Sequence, residues 1–226
     1  MIGTLKEKDI HKSIKFLIDS DENNHEKKIG KFHVDVLNKN GIFEVQTRSF
    51  YKLKEKIVEL SKDNYFTIVF PISRIKTIIV INSNSGELIR KRKSPKKGSI
   101  YDFLLELYTI RDLVDIENLR YRIIIIDSIE YRDSETKVGR YKRTLKKIQN
   151  EPVDIIEDIS LERINDIYKF LNLDIQGEFD ANLFSKIKSL SLNDSRTVLN
   201  MLERLNIVKR IRKEKNKYIY EVLNEN

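Results

Sequence analysis

The stretch that most constrains this chain is residues 161–222, where three helical segments are followed by two strands. Residues 161–173 carry Leu161, Ile164, Ile167, Tyr168 and Leu171 at helical spacing. A second helix is predicted from near Phe179, in FDANLFSKIKSL, with Asp180 as its cap. Asn193 is the expected cap of a third, DSRTVLNMLERLN. Its Val198, Leu199, Leu202 and Leu205 share one face and leave Arg196, Thr197, Asn200 and Arg204 on the other. IVKRIRKEKNKYIYEVL then reads as an alternating strand, a charged turn and a second strand. Such a chain must bury its helix stripes against one another and under one face of the hairpin.

The order helix, helix-turn-helix, β-hairpin resembles a winged helix. That resemblance implies a third helix that enters the major groove of DNA and a hairpin that lies along the backbone. Arg196 and Asn200 stand one turn apart near the start of that helix, and their types read guanine and adenine edges. Lys209, Arg210, Arg212, Lys213, Lys215 and Lys217 on the hairpin suit phosphate contacts. The other reading is a winged helix used for protein contact or dimerisation, with its charges solvated.

Earlier in the chain, Leu5, Ile10, Ile14, Leu17 and Ile18 form a helical stripe, with Thr4 as N-cap and Glu7 at the capping-box position. Asp19 to Lys28 reads as a polar loop. KFHVDVLNK and IFEVQT alternate on either side of Asn40-Gly41, a strong hairpin pattern. A helix is expected from Ser49, a strand in YFTIVF stopped by Pro71, a second hairpin around 82–86, a helix over 99–115 and a buried strand around Ile123 to Ile126. The order α-β-β-α-β, with further strands and a helix, describes an α/β domain over 1–150, with a boundary near Pro152 and a second domain over 151–226.

A two-residue loop at Asn40-Gly41 pairs Lys39 with Ile42, Leu37 with Glu44 and Asp35 with Gln46. Asp35, Glu44 and Gln46 then share one face, opposite Val34, Val36, Phe43 and Val45. Two carboxylates so arranged suit a hard cation such as Mg²⁺, which polarises a phosphate and activates a water. The plain alternative is a solvated polar face of an antiparallel sheet.

Asp35 on one strand, then Glu44-Val45-Gln46 on the next, within the α-β-β-α-β order, resembles the PD-(D/E)XK (restriction-endonuclease-like) nuclease superfamily, in a bacterial branch that joins this core to a winged helix. The resemblance covers residues 4–72. It implies Asp35 and Glu44 as ligands of Mg²⁺ (or Mn²⁺), Gln46 as the residue that positions water or phosphate, and Glu7 as a further acid. Gln46 stands where the family usually has Lys, and Val34 where its Pro would stand.

Of the residues, 35% are charged and the net charge is +8, which favours a polyanionic partner. The absence of Cys excludes disulfides and thiolate chemistry. No apolar run approaches a membrane span, and the N-terminus lacks a signal-peptide core. The His residues are scattered without i, i+4 pairing, which argues against zinc. RKRKSPKK (90–97), with Arg92 and Lys93, suits phosphate steering beside a nuclease face. The run Lys137, Arg140, Lys142, Arg143, Lys146 and Lys147 reads as a linker along DNA. The expectation is a cytoplasmic, metal-dependent endonuclease acting on double-stranded DNA, with no membrane partner and with homodimerisation left open. The alternative is a non-enzymatic winged-helix regulator whose α/β domain dimerises or senses a ligand.

Overall fold

The structure is a computed structural model that describes residues 10–134 and 145–223. Thr4, Leu5 and Glu7 lie outside the described residues, as do Lys137, Arg140, Lys142 and Arg143. The chain is of the α/β class. Its elements are α1 (Ile10–Ile18), β1 (His25–Ile29), β2 (Phe32–Asn38), β3 (Gly41–Val45), α2 (Lys54–Leu60), β4 (Phe66–Ile81), β5 (Leu88–Lys93), α3 (Ile100–Tyr108), β6 (Leu119–Asp133), β7 (Lys146–Leu161), β8 (Phe179–Asp180), α4 (Ala181–Lys188), α5 (Leu192–Arg204), β9 (Val208–Glu214) and β10 (Lys217–Val222). Short 3-10 turns precede β1, α2 and β8. Among the described residues, no helix is long and apolar enough to cross a membrane.

A seven-stranded sheet runs in the order β1-β2-β3-β4-β6-β7, with β5 paired to β4, and a three-stranded sheet runs β8-β10-β9. By contacts the described chain forms two compact units. The first comprises the described residues of Met1–Thr47, Thr67–Ser99 and Arg122–Ile159, the second those of Arg48–Phe66, Ile100–Tyr121 and Ser160–Asn226. The helical stretches 48–66 and 100–121 thus group with the C-terminal residues, a division that cuts across the single boundary expected at 150/151. The boundary expected near Pro152 falls in the interior of β7. Proline has no N–H to give a ladder, and β7 ends the sheet order, the place where a strand tolerates it.

In the first unit, Ile10 and Ile14 of α1 are one helical turn apart and pack with Val45, Val69, Ile124 and Ile126 from β3, β4 and β6. Ile18 and Phe43 extend this cluster. Each such side chain contributes about 1.5–3 kcal/mol on burial, so α1 is fixed on the sheet by its apolar stripe. Pro71 does not stop β4. Gln46, just past the end of β3, donates its N–H to Val69 O at 2.8 Å, and β5 pairs with residues 77–81. Pro71 falls between these two stretches, where its missing N–H breaks neither.

β1 lies where a polar loop was expected. HEKKI has no apolar alternation, and its three central residues are exposed, as suits an edge strand whose charges deter further pairing. The hairpin at 82–87 forms as expected, with Asn82 accepting from Asn84 N–H (2.8 Å) and Ser85 N–H (3.1 Å), but its second strand, β5, continues through Arg90–Lys93.

In the second unit, Phe50, Phe103 and Tyr121 stack edge to face at centroid distances of 5.8 and 5.7 Å. α3 packs against α5, and α5 against α4. α5 buries Val198, Leu199, Met201 and Leu202. The helix expected over 161–173 is shorter: β7 runs to Leu161, and Ile164–Phe170 is a 3-10 turn. Asp180 caps α4 by accepting from Leu183 N–H at 2.9 Å, as predicted. The cap of α5 is Ser191, whose hydroxyl accepts from Asp194 N–H at 3.0 Å, not Asn193.

Candidate functional site

The hairpin at Asp35 and Glu44 forms with a different register from the one expected. Leu37 pairs with Ile42 and Asn38 with Gly41, leaving Lys39-Asn40 as the turn. Asn38 Oδ1 accepts from Asn40 N–H at 2.9 Å, and among these residues only Gly41 has a positive φ, 114°. A tight Asn-Gly turn needs positive φ at both residues. With the turn built on Asn38 instead, the two-residue loop moves back by one residue, and the expected pairs Leu37–Glu44 and Asp35–Gln46 do not form.

The β2–β3 ladder ends at Val36 and Phe43. Beyond it, Asp35 Oδ2 accepts from Val45 N–H at 2.8 Å and lies 3.1 Å from His11 Nε2. A carboxylate only accepts, so His11 Nε2 is the donor. Glu44 is 4% exposed. Gln46 belongs to the pairing with β4 through its main chain, and Glu7 lies outside the described residues. No group of three or more His, Asp or Glu side chains that could hold a metal is found among the described residues. Asp35 and Glu44 do not fit a hard cation that takes six or more oxygens, because one is engaged by an imidazole and an amide and the other is buried.

A cleft of about 770 Å³ opens beside this pair, between α1, β1 and the start of β7. α1 lines it with His11, Lys12, Lys15 and Phe16, β1 with His25 and Glu26, and β7 with residues 147–150. β1 and β7 end the sheet order at opposite sides, and both line the cleft with α1. Lys15, 10% exposed in its side chain, is ion-paired with Glu26. His25 Nε2 donates to Asp19 O at 2.8 Å, and its ring meets Phe16 edge-on at 5.1 Å. Asp19 is itself held by Asp21 N–H, Asn38 and Asn24, which keep its carboxyl below the usual carboxylate range. The cleft was not anticipated. His11 and Lys15, four apart on α1, were visible only as the polar side of an apolar stripe.

The cations predicted to meet nucleic acid divide into two sets. Arg196 on α5, and Lys213 and Lys215 on the β9–β10 hairpin, are exposed, with Lys213 over the Tyr218 ring at 5.6 Å. Arg92 and Lys93 lie exposed on β5. Lys209 is exposed on β9. Arg204, Arg210, Arg212 and Lys217 are engaged. Arg204 pairs with Asp115. Arg212 binds Glu178 at 2.6 Å and Glu214 at 2.7 Å, which raises its already high pKa. Lys217 binds Asp180 at 2.9 Å. Thr197 donates back to Asn193 O at 3.2 Å. Asn200 Oδ1 accepts from Arg210 at 3.2 Å, and Arg210 also binds Glu203 at 2.6 Å and lies 3.9 Å over the Tyr218 ring. Arg210 therefore ties the hairpin to α5, a role its place in a cationic run concealed.

These elements define an α/β protein with a polar cleft in one unit and a helix-and-hairpin basic face in the other. The chain belongs to the family described as domain of unknown function (DUF8091), which matches residues 8–162. The match spans α1 to β7, and so includes the cleft, and it stops before α4, α5 and the hairpin. The chain is 31% identical over 144 residues to an uncharacterized protein of Treponema pallidum (strain Nichols), covering 63% of this chain and 57% of that protein. The chain thus spans little more than half the length of this relative. No solved structure matches.

Proposed function

We propose that the chain is a nucleic-acid-binding protein that engages duplex DNA through α5 and the β9–β10 hairpin. The observation that carries this reading is the order β8, α4, α5, β9, β10 with β8 paired to β10. It resembles a winged helix, with α5 as the helix for the major groove and the hairpin as the wing. Support also comes from the exposed Arg196, Lys213 and Lys215, together with the +8 net charge. Arg196 is the base-reading group of the interface. Asn200, bonded to Arg210, reads a base only if that bond is exchanged.

Of the two functions expected, the binding protein is favoured over the Mg²⁺ nuclease because Asp35 is engaged by His11 and Val45. The restriction-endonuclease-like resemblance stays a proposal about ancestry of the sheet. Fluorescence anisotropy with labelled duplex DNA tests the reading. Native protein binds with a steep salt dependence, and Arg196→Ala lowers sequence discrimination by about 1–3 kcal/mol. Absence of duplex binding at low salt would overturn it. Cleavage of plasmid in Mg²⁺ that is lost in both Asp35→Ala and Glu44→Ala would restore the nuclease reading.

A further inference from the structure

The cleft of the first unit holds a set of groups that the binding reading does not use. Two imidazoles line it, and each has its Nε2–H held by an acceptor of a different kind. His25 donates to a neutral carbonyl, Asp19 O, at 2.8 Å. His11 faces a carboxylate, Asp35 Oδ2, at 3.1 Å, and that oxygen is anchored in turn by Val45 N–H at 2.8 Å. A fixed tautomer and a third group that orients the ring are what a working acid or base requires. The two bonds fix the rings differently: His11 gives its Nε2–H to the Asp35 carboxylate, whereas His25 gives its Nε2–H to a carbonyl, which leaves Nδ1 as the lone-pair nitrogen of the neutral His25 ring.

The rest of the cleft suits a nucleotide. Lys12 and Lys147 are exposed on its walls, while Lys15 is offset by Glu26. Phe16 and Ile148 supply an apolar wall to a base. Asn150, which lines the cleft, is 8% exposed, and its buried Oδ1 has no hydrogen-bond partner. The volume, about 770 Å³, lies within the range of small-molecule sites.

We propose that this cleft is a metal-independent acid–base site that cleaves ribonucleotide phosphodiesters by transfer to the adjacent 2′-hydroxyl. His25 takes the 2′-OH proton at Nδ1 while the 2′-oxygen forms a bond to phosphorus. The bond from phosphorus to the 5′-oxygen breaks, and His11, as imidazolium, protonates that leaving oxygen. The products are a 2′,3′-cyclic phosphate and a 5′-hydroxyl, so no water, metal or redox partner is consumed. Lys12 and Lys147 bear the charge of the phosphoryl oxygens. DNA lacks the attacking hydroxyl and is not a substrate, so this activity stands apart from duplex binding by the other unit.

The test uses the full chain with a 5′-labelled single-stranded RNA, its all-DNA counterpart and its 2′-O-methyl counterpart, all in EDTA. The RNA is expected to be cut to fragments ending in 2′,3′-cyclic phosphate, with the other two strands intact. His11→Gln and His25→Asn, checked for native circular dichroism, each lower the rate by about 10²–10⁴-fold. RNA that survives in EDTA, cleavage that needs Mg²⁺, or cleavage at the native rate by the folded variants overturns the proposal. Should either variant fail to fold, protection of the 2′-O-methyl strand and the cyclic-phosphate ends decide it on the native protein. Duplex DNA binding is measured on the same samples, and its presence beside uncut RNA overturns this site alone, while its absence beside cut RNA overturns only the binding reading.

Discussion

The Asp35 carboxylate oxygen that lies 3.1 Å from His11 Nε2 is the same oxygen that accepts the Val45 amide, at 2.8 Å. One atom therefore joins α1 to the end of the β2–β3 ladder, and the side chain that bears it is 14% exposed. Asp35→Ala leaves a buried N–H without its acceptor, a loss of about 1–3 kcal/mol. Asp35→Asn keeps one acceptor and costs less. Urea denaturation measures both. The losses should be the same in EDTA and in Mg²⁺, and a loss that appears only with Mg²⁺ would mark Asp35 as a metal ligand instead.

The hairpin and α5 were legible in the sequence because their patterns are local: period-two alternation around Asn40-Gly41, and an apolar stripe through Val198, Leu199 and Leu202. The register of the hairpin was not, because the side chain of Asn38 builds the turn, and a competition between two turn types leaves no periodic trace. β1 was missed for the opposite reason. An exposed edge strand such as HEKKI has no buried face to write into its sequence. The cleft was illegible in kind, since it unites residues 11–26 with residues 147–150, far apart in the chain. No reading of neighbouring residues could have joined His11 to Asn150.

Asp180 gives the second unit a dependence on acid. Burial raises its pKa, but the Leu183 amide, Lys217 and Asn182 outweigh burial and hold the carboxyl well below the usual carboxylate range. A depressed carboxylate contributes stability that is full above its unfolded pKa of about 3.9 and is lost as pH falls toward the folded value. Asp180→Ala, which removes the cap of α4, should cost about 1 kcal/mol near neutrality. The gap between variant and native narrows below about pH 4. A constant gap from pH 7 to pH 3 in urea titrations would refute the ionic part of this account.

Gly98 is set by sterics. A Cβ there would lie 2.7 Å from Ser73 O and 2.8 Å from Ile72 Cγ2, and Gly98 N–H already donates to that carbonyl at 2.9 Å. The obstacle is main chain of β4, which cannot turn aside as a side chain would. Gly98→Ala should destabilise by about 1–3 kcal/mol, seen as a lower urea midpoint with an unchanged slope. An unchanged midpoint would mean that the segment relaxes freely away from β4.

The two sets of hairpin cations predict different salt dependences of binding. Lys213 and Lys215 are exposed at the hairpin tip, so each that meets a phosphate releases counterions. Its replacement by Ala should lower the slope of log K against log salt by about 1. Arg212 and Lys217 already neutralise Glu178, Glu214 and Asp180. To bind phosphate they must first give up those partners, and Arg212→Ala or Lys217→Ala should lower the slope by much less than 1. Anisotropy titrations with duplex DNA over a salt series resolve the difference. Equal slope changes for Lys215→Ala and Arg212→Ala would show that the ion pairs open on binding, and that the hairpin meets DNA as one cationic surface.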